Sequence, residues 1–275
     1  MSIANKYHVF RLHEFAATLT LAAAACWAVY PENRLTDLVI SEKNSPVSVK
    51  YLESIVRINP GDSRYRLLLA DRYIGTGQHE RAMAQLLAAT VQDTETLFSR
   101  DVRTLALYRE APQYMKSGKE ASIISARTLS AILSENSRQR LGAQYAETAA
   151  LGIWPAALAA AERILPFETW NRYYWLIKAA EASEHCAMPQ KAASYYISAA
   201  KTAPDQERRR QVFRKALLTL SAAGLQRDIK KTLYACAKDF ASDKVTAATM
   251  LSFSRQTGDP YFARDIALQI LRMNR

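Results

Sequence analysis

Glycine, proline and cysteine are scarce in this sequence. Its 275 residues include 8 glycines, 9 prolines and 3 cysteines. Runs of β-branched residues are few, whereas alanine and aliphatic residues are abundant and recur at helical spacing. A chain of this composition is expected to be all-α. The cysteines form no CxxC pair, which excludes the common zinc motifs, while a disulfide between Cys186 and Cys236 stays open.

Catalytic motifs are also absent. The four histidines are His8, His13, His79 and His185, and the sequence has no HExxH, GxSxG, Walker or GxGxxG motif. His185 and Cys186 are adjacent, but two neighbouring residues cannot form a metal site alone. We therefore expect no catalytic, cofactor-binding or metal-binding residue, and no enzymatic activity.

Positive charge exceeds negative charge, with a formal net charge of +11. The most basic segment spans residues 207–231. Such an excess favours an acidic protein, nucleic acid or anionic lipid headgroups as partner, unless the charges only keep the surface soluble. No RNA-stacking motif accompanies the basic segment, and its charges would spread over more than one helix face. We therefore expect no nucleic-acid partner.

The stretch at residues 60–92 organises the rest of the chain. Its sequence, PGDSRYRLLLADRYIGTGQHERAMAQLLAATVQ, predicts two helices separated by a Gly-Thr-Gly turn. We set Ser63 as position 1 of a 34-residue unit. Apolar or small residues then occupy the packing positions, namely Leu69, Ala70, Tyr73, Ala82, Leu86 and Ala89. This spacing resembles the tetratricopeptide (TPR) pattern, with Arg66 in place of the usual tryptophan.

Glycine spacing indicates further units. Glycines recur 34 residues apart in the pairs Gly118–Gly152 and Gly224–Gly258. Frames set on the last three of these glycines, and a frame that begins at Tyr173, place apolar or small residues at the packing positions. Neighbouring hairpins of this kind must stack, because each leaves an apolar face uncovered.

One unit fits poorly. Pro112 interrupts its first helix, and Arg127 falls at a packing position. We therefore expect a distorted or lengthened hairpin at about residues 94–135. Residues 48–59 resemble the second helix of a partial repeat. The predicted fold is a TPR-like, right-handed α-solenoid of about six hairpins over residues 48–275.

Residues 1–31 have the features of an N-terminal signal anchor. Cationic residues precede an apolar run of 16 residues at 15–30, close to the lower limit of about 17 for crossing a bilayer. This predicts one transmembrane helix in the inner membrane, a cytoplasmic N-terminus, a linker at residues 32–47 and a periplasmic solenoid. Two alternatives stay open: cleavage after the small residues at 22–25, and lipidation of Cys26.

The TPR resemblance implies a partner-binding groove. Positions 2, 5, 9 and 12 of the first helices line the groove in that family. Here they include Arg64, Leu67, Asp71, Tyr174, Ile177, Glu181, Gln211 and Arg214. Charges on such a surface would orient a partner, and apolar residues would supply affinity. A groove that is simply solvated would have the same composition, so both interpretations stay open.

A narrower resemblance concerns the ends of the chain. The predicted anchor, a short linker, YLESIVRINP at 51–60 and RLLLA at 66–70 are similar to the start of PelB-type exopolysaccharide exporters. The segments RRRQVFRKALLTLSAAGLQRDIKKTL and TMLSFSRQTGDPYFARDIALQIL are similar to that family as well. In these exporters a periplasmic TPR scaffold precedes an outer-membrane β-barrel.

The exporter resemblance implies a non-catalytic scaffold with two protein partners, a polysaccharide-modifying enzyme and an outer-membrane pore. This sequence departs from the family, because it has no barrel segment and fewer repeats, which implies a pore on another chain. An excess of cations suits an enzyme partner better than the cationic polymer of that family. The alternative is a cell-envelope assembly factor or chaperone adaptor that binds peptide segments of clients.

Overall fold

The computed structural model describes residues 20–21 and 45–273, and within them the chain is all-α, as predicted. The chain divides into two compact units, unit 1 (Met1–Thr90) and unit 2 (Val91–Arg275). No helix among the described residues is long and apolar enough to cross a membrane. The predicted anchor at 15–30 lies outside them, apart from Thr20 and Leu21, and Cys26 lies outside them too.

The described residues form thirteen α-helices, α1 to α3 in unit 1 and α4 to α13 in unit 2. Their bounds are α1 Pro46–Ile58, α2 Ser63–Gly75, α3 His79–Ala88, α4 Thr94–Glu110, α5 Gly118–Ser134, α6 Arg138–Ala150, α7 Trp154–Ile164, α8 Arg172–His185, α9 Pro189–Lys201, α10 Gln206–Ala222, α11 Gln226–Phe240, α12 Lys244–Gln256 and α13 Pro260–Arg272. A 3-10 helix, Pro112–Tyr114, follows α4. Most helix starts are capped by an aspartate or serine, which satisfies a backbone N–H that the helix leaves unpaired.

Five hairpins share one turn. In each, the residue after a left-handed residue donates its N–H to the carbonyl five positions earlier, the geometry of a Schellman motif. The donor–acceptor pairs, at 2.8–3.0 Å, are Gln78–Tyr73, Ile153–Thr148, Met188–Ser183, Leu225–Leu220 and Asp259–Ser254. The left-handed residue is a glycine in four turns and Ala187, with φ 55°, in the fifth. The same local chemistry therefore ends the first helix in each of these five hairpins.

Unit 1 packs its hairpin against the preceding helix. Ala70 on α2 and Ala82 on α3 are fully buried, so the two backbones approach closely, as the sequence predicts. The Tyr73 hydroxyl donates a 2.5 Å hydrogen bond to Glu53 on α1. Burial, reinforced by this carboxylate, raises the pKa of Tyr73 to about 12.

Alanine-rich packing dominates the helices from α7 to α10. Consecutive helices of this stretch pack against each other, and α8 and α9 bury seven alanines at most 2% exposed: Ala179, Ala180, Ala182, Ala192, Ala193, Ala199 and Ala200. Tyr196 fills the space between them, while Phe213 stacks on Phe240 with a ring separation of 4.6 Å. Small side chains at the helix crossings allow close backbone approach, and the few large ones supply most of the buried apolar area.

Helices α4 and α5 form a different hairpin. Each has 17 residues, and the 3-10 helix with a short extended segment replaces the glycine turn. Gly118 begins α5 and has no left-handed backbone, so its 34-residue spacing from Gly152 does not mark an equivalent turn. Arg127 donates two 2.5 Å hydrogen bonds to Asp101, which is 2% exposed. An ion pair therefore takes the place of apolar packing at this position.

Candidate functional site

Three predicted groove residues lie on α2 in unit 1. Arg64 is exposed and Asp71 is partly buried. Leu67 is only 5% exposed, so its side chain belongs to the apolar core of unit 1 and is not available to line an open groove. The spacing of groove positions does not show which of them is exposed, because the buried Leu67 and the exposed Arg64 lie within two turns of each other on one helix.

The other five predicted residues lie in unit 2, on α8 and α10. Tyr174 and Glu181 share a partner, because the Lys178 ammonium lies 5.6 Å from the Tyr174 ring centroid and 2.9 Å from Glu181. Ile177 is partly buried against the core. On α10, the Gln211 amide donates to Glu207 at 2.9 Å, and Arg214 is exposed without an ion pair among the described residues. The structure therefore brings Tyr174 and Glu181 together through a lysine that the groove prediction omitted.

Carboxylates join neighbouring hairpins on this part of unit 2. Glu184 on α8 accepts hydrogen bonds from Tyr196 at 2.9 Å and from Thr219 at 2.7 Å. Asp243, which caps the start of α12, accepts from both Nε and Nη2 of Arg210, at 2.9 and 2.6 Å. These bonds hold the pKa of Asp243 far below its usual value. Hairpin stacking is thereby fixed by charge-assisted hydrogen bonds as well as by apolar contact.

A pocket of about 220 Å³ opens between α4, α5 and α6, where the long hairpin departs from the regular spacing. We call it the α4–α6 pocket. Helix α5 packs on α7, while α4 and α6 meet at only a few residues. The pocket is lined by Thr94, Glu95, Phe98, Ala131, Ser134, Glu135, Arg140, Ala143, Gln144 and Glu147. It combines an apolar wall with several carboxylates, a composition that suits ligand binding better than closed helix packing.

The ionisable groups of the α4–α6 pocket are unequally neutralised. Glu147 forms an ion pair with Arg103 and accepts the Ser99 hydroxyl at 3.0 Å. Glu135 accepts the backbone N–H of Ser137 at 2.7 Å, which lowers the pKa of its carboxyl group, and lies 3.7 Å from Arg140.

Two acceptors of the pocket have no partner side chain within the described chain. Glu95 is exposed and forms no ion pair there. The amide oxygen of Gln144 is buried and accepts no hydrogen bond. Acceptors left in this state at a pocket wall are positioned for a donor brought by a ligand.

The residues that sequence analysis singled out for possible metal chemistry lie at a second pocket, of about 380 Å³. His185 stacks on Trp154, with ring planes 6° apart and centroids at 3.7 Å. Burial raises the pKa of the Cys186 thiol, which disfavours the reactive thiolate. Cys186 and Cys236 are both free thiols, and no group of three or more metal-ligating side chains occurs among the described residues.

An exposed tryptophan marks the loop between α7 and α8. Trp170 is 96% exposed, and Phe167 beside it is about half exposed. Glu168 in the same loop is 1% exposed and stabilises the loop. It forms an ion pair with Arg138 and accepts the Asn171 N–H at 3.3 Å. A large aromatic side chain presented on a fixed loop is a typical anchor for a protein partner. Sequence analysis missed it, because an isolated tryptophan between helices has no repeat signal.

Burial raises the pKa of the Cys186 and Cys236 thiols, and no metal-ligand cluster occurs among the described residues. The distinctive features of unit 2 are surfaces: the patch of Tyr174, Lys178 and Glu181, the Trp170 loop and the α4–α6 pocket. Such surfaces are suited to recognition of another molecule. Comparison with protein-family models and with curated proteins gives no match.

Proposed function

We propose that this chain is a non-catalytic, membrane-anchored scaffold that binds protein partners through a TPR-like, right-handed α-solenoid. The single observation that carries the proposal is the repeated hairpin, in which the same Schellman turn recurs five times. Repeated hairpins that stack side by side create extended surfaces, and proteins built in this way commonly serve recognition. The anchor at residues 15–30, with the solenoid in the periplasm, is proposed from the sequence pattern alone.

The surface chemistry of unit 2 favours a protein as the bound partner. Trp170 and Tyr174 expose aromatic area close together in the chain, and aromatic side chains contribute disproportionately to protein–protein affinity. Residues 91–273 contain 26 Lys and Arg but 18 Asp and Glu, so the unit carries excess positive charge. This balance favours an acidic partner surface and fast association with it.

The resemblance to PelB-type exporters supports a narrower role in exopolysaccharide synthesis and export. In that role the scaffold would bind a polysaccharide-modifying enzyme and contact an outer-membrane pore on another chain. The resemblance involves the predicted anchor, the linker and the segments at 51–60, 66–70, 208–233 and 249–271. The role as a protein scaffold does not depend on this narrower assignment.

The test is affinity capture of the tagged full-length chain from solubilised membranes, followed by mass spectrometry. We expect one or two stable partners, including a polysaccharide deacetylase or hydrolase and an outer-membrane barrel protein. The variant Trp170→Ala should lower partner recovery about tenfold, as expected for loss of an interface anchor. Tyr261→Ala is the matched control, because Tyr261 is a 72% exposed aromatic on α13.

Two results would contradict the proposal. Recovery of many unfolded clients, with no stable partner, would move the function to a chaperone adaptor. A soluble cytoplasmic distribution of the intact protein would exclude the anchored periplasmic arrangement.

A further inference from the structure

We infer that the α4–α6 pocket binds the basic side chain, lysine or arginine, of a protein partner. The inference deepens the proposed scaffold function and rests on it for the source of the side chain. It concerns a place in unit 2 where an irregular hairpin borders a pocket. Its support comes from the charge, the available acceptors and the size of this pocket.

The charge of the pocket is opposite to that of the unit around it. Three carboxylates line it, Glu95, Glu135 and Glu147, while Arg140 is the one cation in its lining. Elsewhere in unit 2 most carboxylates are paired with a lysine or arginine, and the lysines and arginines in excess of these pairs make the surface basic. Because two of these carboxylates of the pocket are paired with an arginine, the remaining one gives the pocket a net negative charge, which attracts a cationic ligand and repels an anionic one.

The cations that face the pocket are already engaged. Arg103 forms an ion pair with Glu147, and Arg140 lies 3.7 Å from Glu135. Glu95 has no such partner in the described chain, so its negative charge is not neutralised locally. Glu95 is thus the group with which an incoming ammonium or guanidinium would form its ion pair.

The hydrogen-bonding groups that the pocket offers to a ligand are acceptors. The Glu95 carboxylate is exposed and forms no ion pair in the described chain, and the buried amide oxygen of Gln144 lacks a donor. Lysine and arginine carry several N–H donors and no acceptor, so either side chain complements this pair. A hydroxyl ligand has one donor and would satisfy only one of the two acceptors. A carboxylate ligand has no donor and would be repelled by Glu95.

The apolar part and the volume of the pocket fit a single side chain. Phe98, Ala131 and Ala143 line it beside the carboxylates and offer apolar contact to the methylene stem of a lysine or arginine. A cavity of about 220 Å³ is smaller than the roughly 300–1,000 Å³ of pockets that take drug-sized ligands or cofactors. The geometry therefore favours one inserted side chain over a whole small molecule.

The experiment is saturation-transfer NMR on the full-length chain in detergent micelles, with small probes in place of the partner. The probes are the Nα-acetyl amides of lysine, arginine, norleucine and glutamate. Norleucine has the apolar stem of lysine without its charge. We expect the lysine or arginine probe to bind at least about fivefold more tightly than the norleucine probe, and the glutamate probe not to bind.

Matched variants locate the binding. Glu95 and Glu207 both stand two residues after an aspartate that caps a helix, so the two substitutions alter equivalent helix positions. Glu95→Gln should weaken binding of the basic probe at least about fivefold, whereas Glu207→Gln should leave it unchanged. Far-UV circular dichroism should be the same for both variants.

Three outcomes would overturn the inference: equal binding of the norleucine probe, binding of the glutamate probe, or equal effects of the two substitutions. Absence of any probe binding would overturn it too. These outcomes are separate from failure of the scaffold proposal, which is judged by partner capture. A captured partner together with no binding of the basic probes would reject the pocket assignment and retain the scaffold.

Discussion

The hairpins α8–α9 and α4–α5 differ in how their two helices pack and how they are connected. In α8–α9, fully buried alanines bring the helices close together, and a tight left-handed turn connects them. In α4–α5, two 17-residue helices are joined by a 3-10 helix, and Arg127 reaches the buried Asp101 where the regular hairpin has small apolar residues. The second arrangement leaves the α4–α6 pocket beside it.

This difference shows how a departure from the regular hairpin changes the space between neighbouring helices. Regular hairpins bury their small residues against one another, so most of their side chains are needed for stability. A hairpin that departs from the pattern must fill space with longer polar side chains or leave a cavity. Binding chemistry can be placed in that cavity without disturbing the turns and alanine contacts of the neighbouring hairpins.

The largest effect is expected from Arg127→Met. The substitution leaves the Asp101 carboxylate buried without its partner, which costs about 3–5 kcal/mol when both groups are buried. Because the Arg127 side chain is 43% exposed, we expect a loss of about 2–3 kcal/mol in the free energy of unfolding. Urea denaturation measures this loss.

The control for Arg127→Met is the double variant with Asp101→Leu. It should recover most of the stability, since no buried charge remains. If Arg127→Met has no effect, the ion pair does not hold the irregular hairpin together.

The second prediction tests the close packing of the regular hairpin. Ala180→Leu should destabilise the protein by about 1–3 kcal/mol, because Ala180 is fully buried and the added atoms force the helices apart. Ala131→Leu on α5 should cost less than about 1 kcal/mol, since Ala131 borders the α4–α6 pocket. Thermal unfolding of the two variants gives the comparison. Equal losses would mean that the pocket does not provide extra space.

The third prediction concerns the carboxylate that joins α10 and α12. The pKa of Asp243 is held far below its usual value in the folded protein by Arg210, so its contribution to stability is present above about pH 4 and is lost as pH falls. Asp243→Asn should therefore cost about 1–2 kcal/mol at pH 7 and reduce the loss of stability on acidification.

Urea midpoints measured between pH 7 and pH 3 provide this test. Asp265→Asn serves as control, because Asp265 is exposed and pairs only with its neighbour Arg264. An unchanged pH dependence in Asp243→Asn would show that Asp243 does not couple folding to protonation.

The smallest effect is expected at the turn of α8–α9. Ala187 occupies the left-handed position that glycine occupies in the other four Schellman turns. Ala187→Gly should stabilise the protein by about 0.5–1 kcal/mol, because it relieves the backbone strain. Gly224→Ala should have the opposite sign, since nothing within 4 Å would contact the added methyl group and only the strain is introduced. Thermal unfolding measures the change in melting temperature of each variant. A change of the same sign in both would contradict this explanation of the turn.

The all-α class and much of the hairpin pattern could be predicted from sequence. Gly77, Gly152, Gly224 and Gly258 mark turns because left-handed backbone favours glycine, and that preference is local. The glycine spacing did not predict the turn at Ala187, because there the surrounding hairpin imposes the left-handed conformation on an alanine, which disfavours it. Gly118 has the right spacing and a different role, which shows that spacing alone does not define the turn.

The candidate surfaces were less predictable. Leu67 and Arg64 lie on one helix at neighbouring groove positions, yet one is buried and the other exposed, since exposure depends on the helices packed around them. Glu95 and Gln144 are separated by about fifty residues and become neighbours only through the irregular packing of α4 to α6. No local pattern encodes that juxtaposition. Trp170 is visible in the sequence, but its exposure is a property of the fold.

The most direct test of the account is site-specific photo-crosslinking in intact cells, with a photoreactive phenylalanine derivative at position 95 of the full-length chain. The account predicts one discrete adduct, whose crosslinked partner peptide contains a lysine or arginine. The same derivative at position 207 should give no such adduct. A smear of many clients from position 95, or an adduct equally strong from position 207, would contradict the claim that the irregular hairpin supplies a specific binding site.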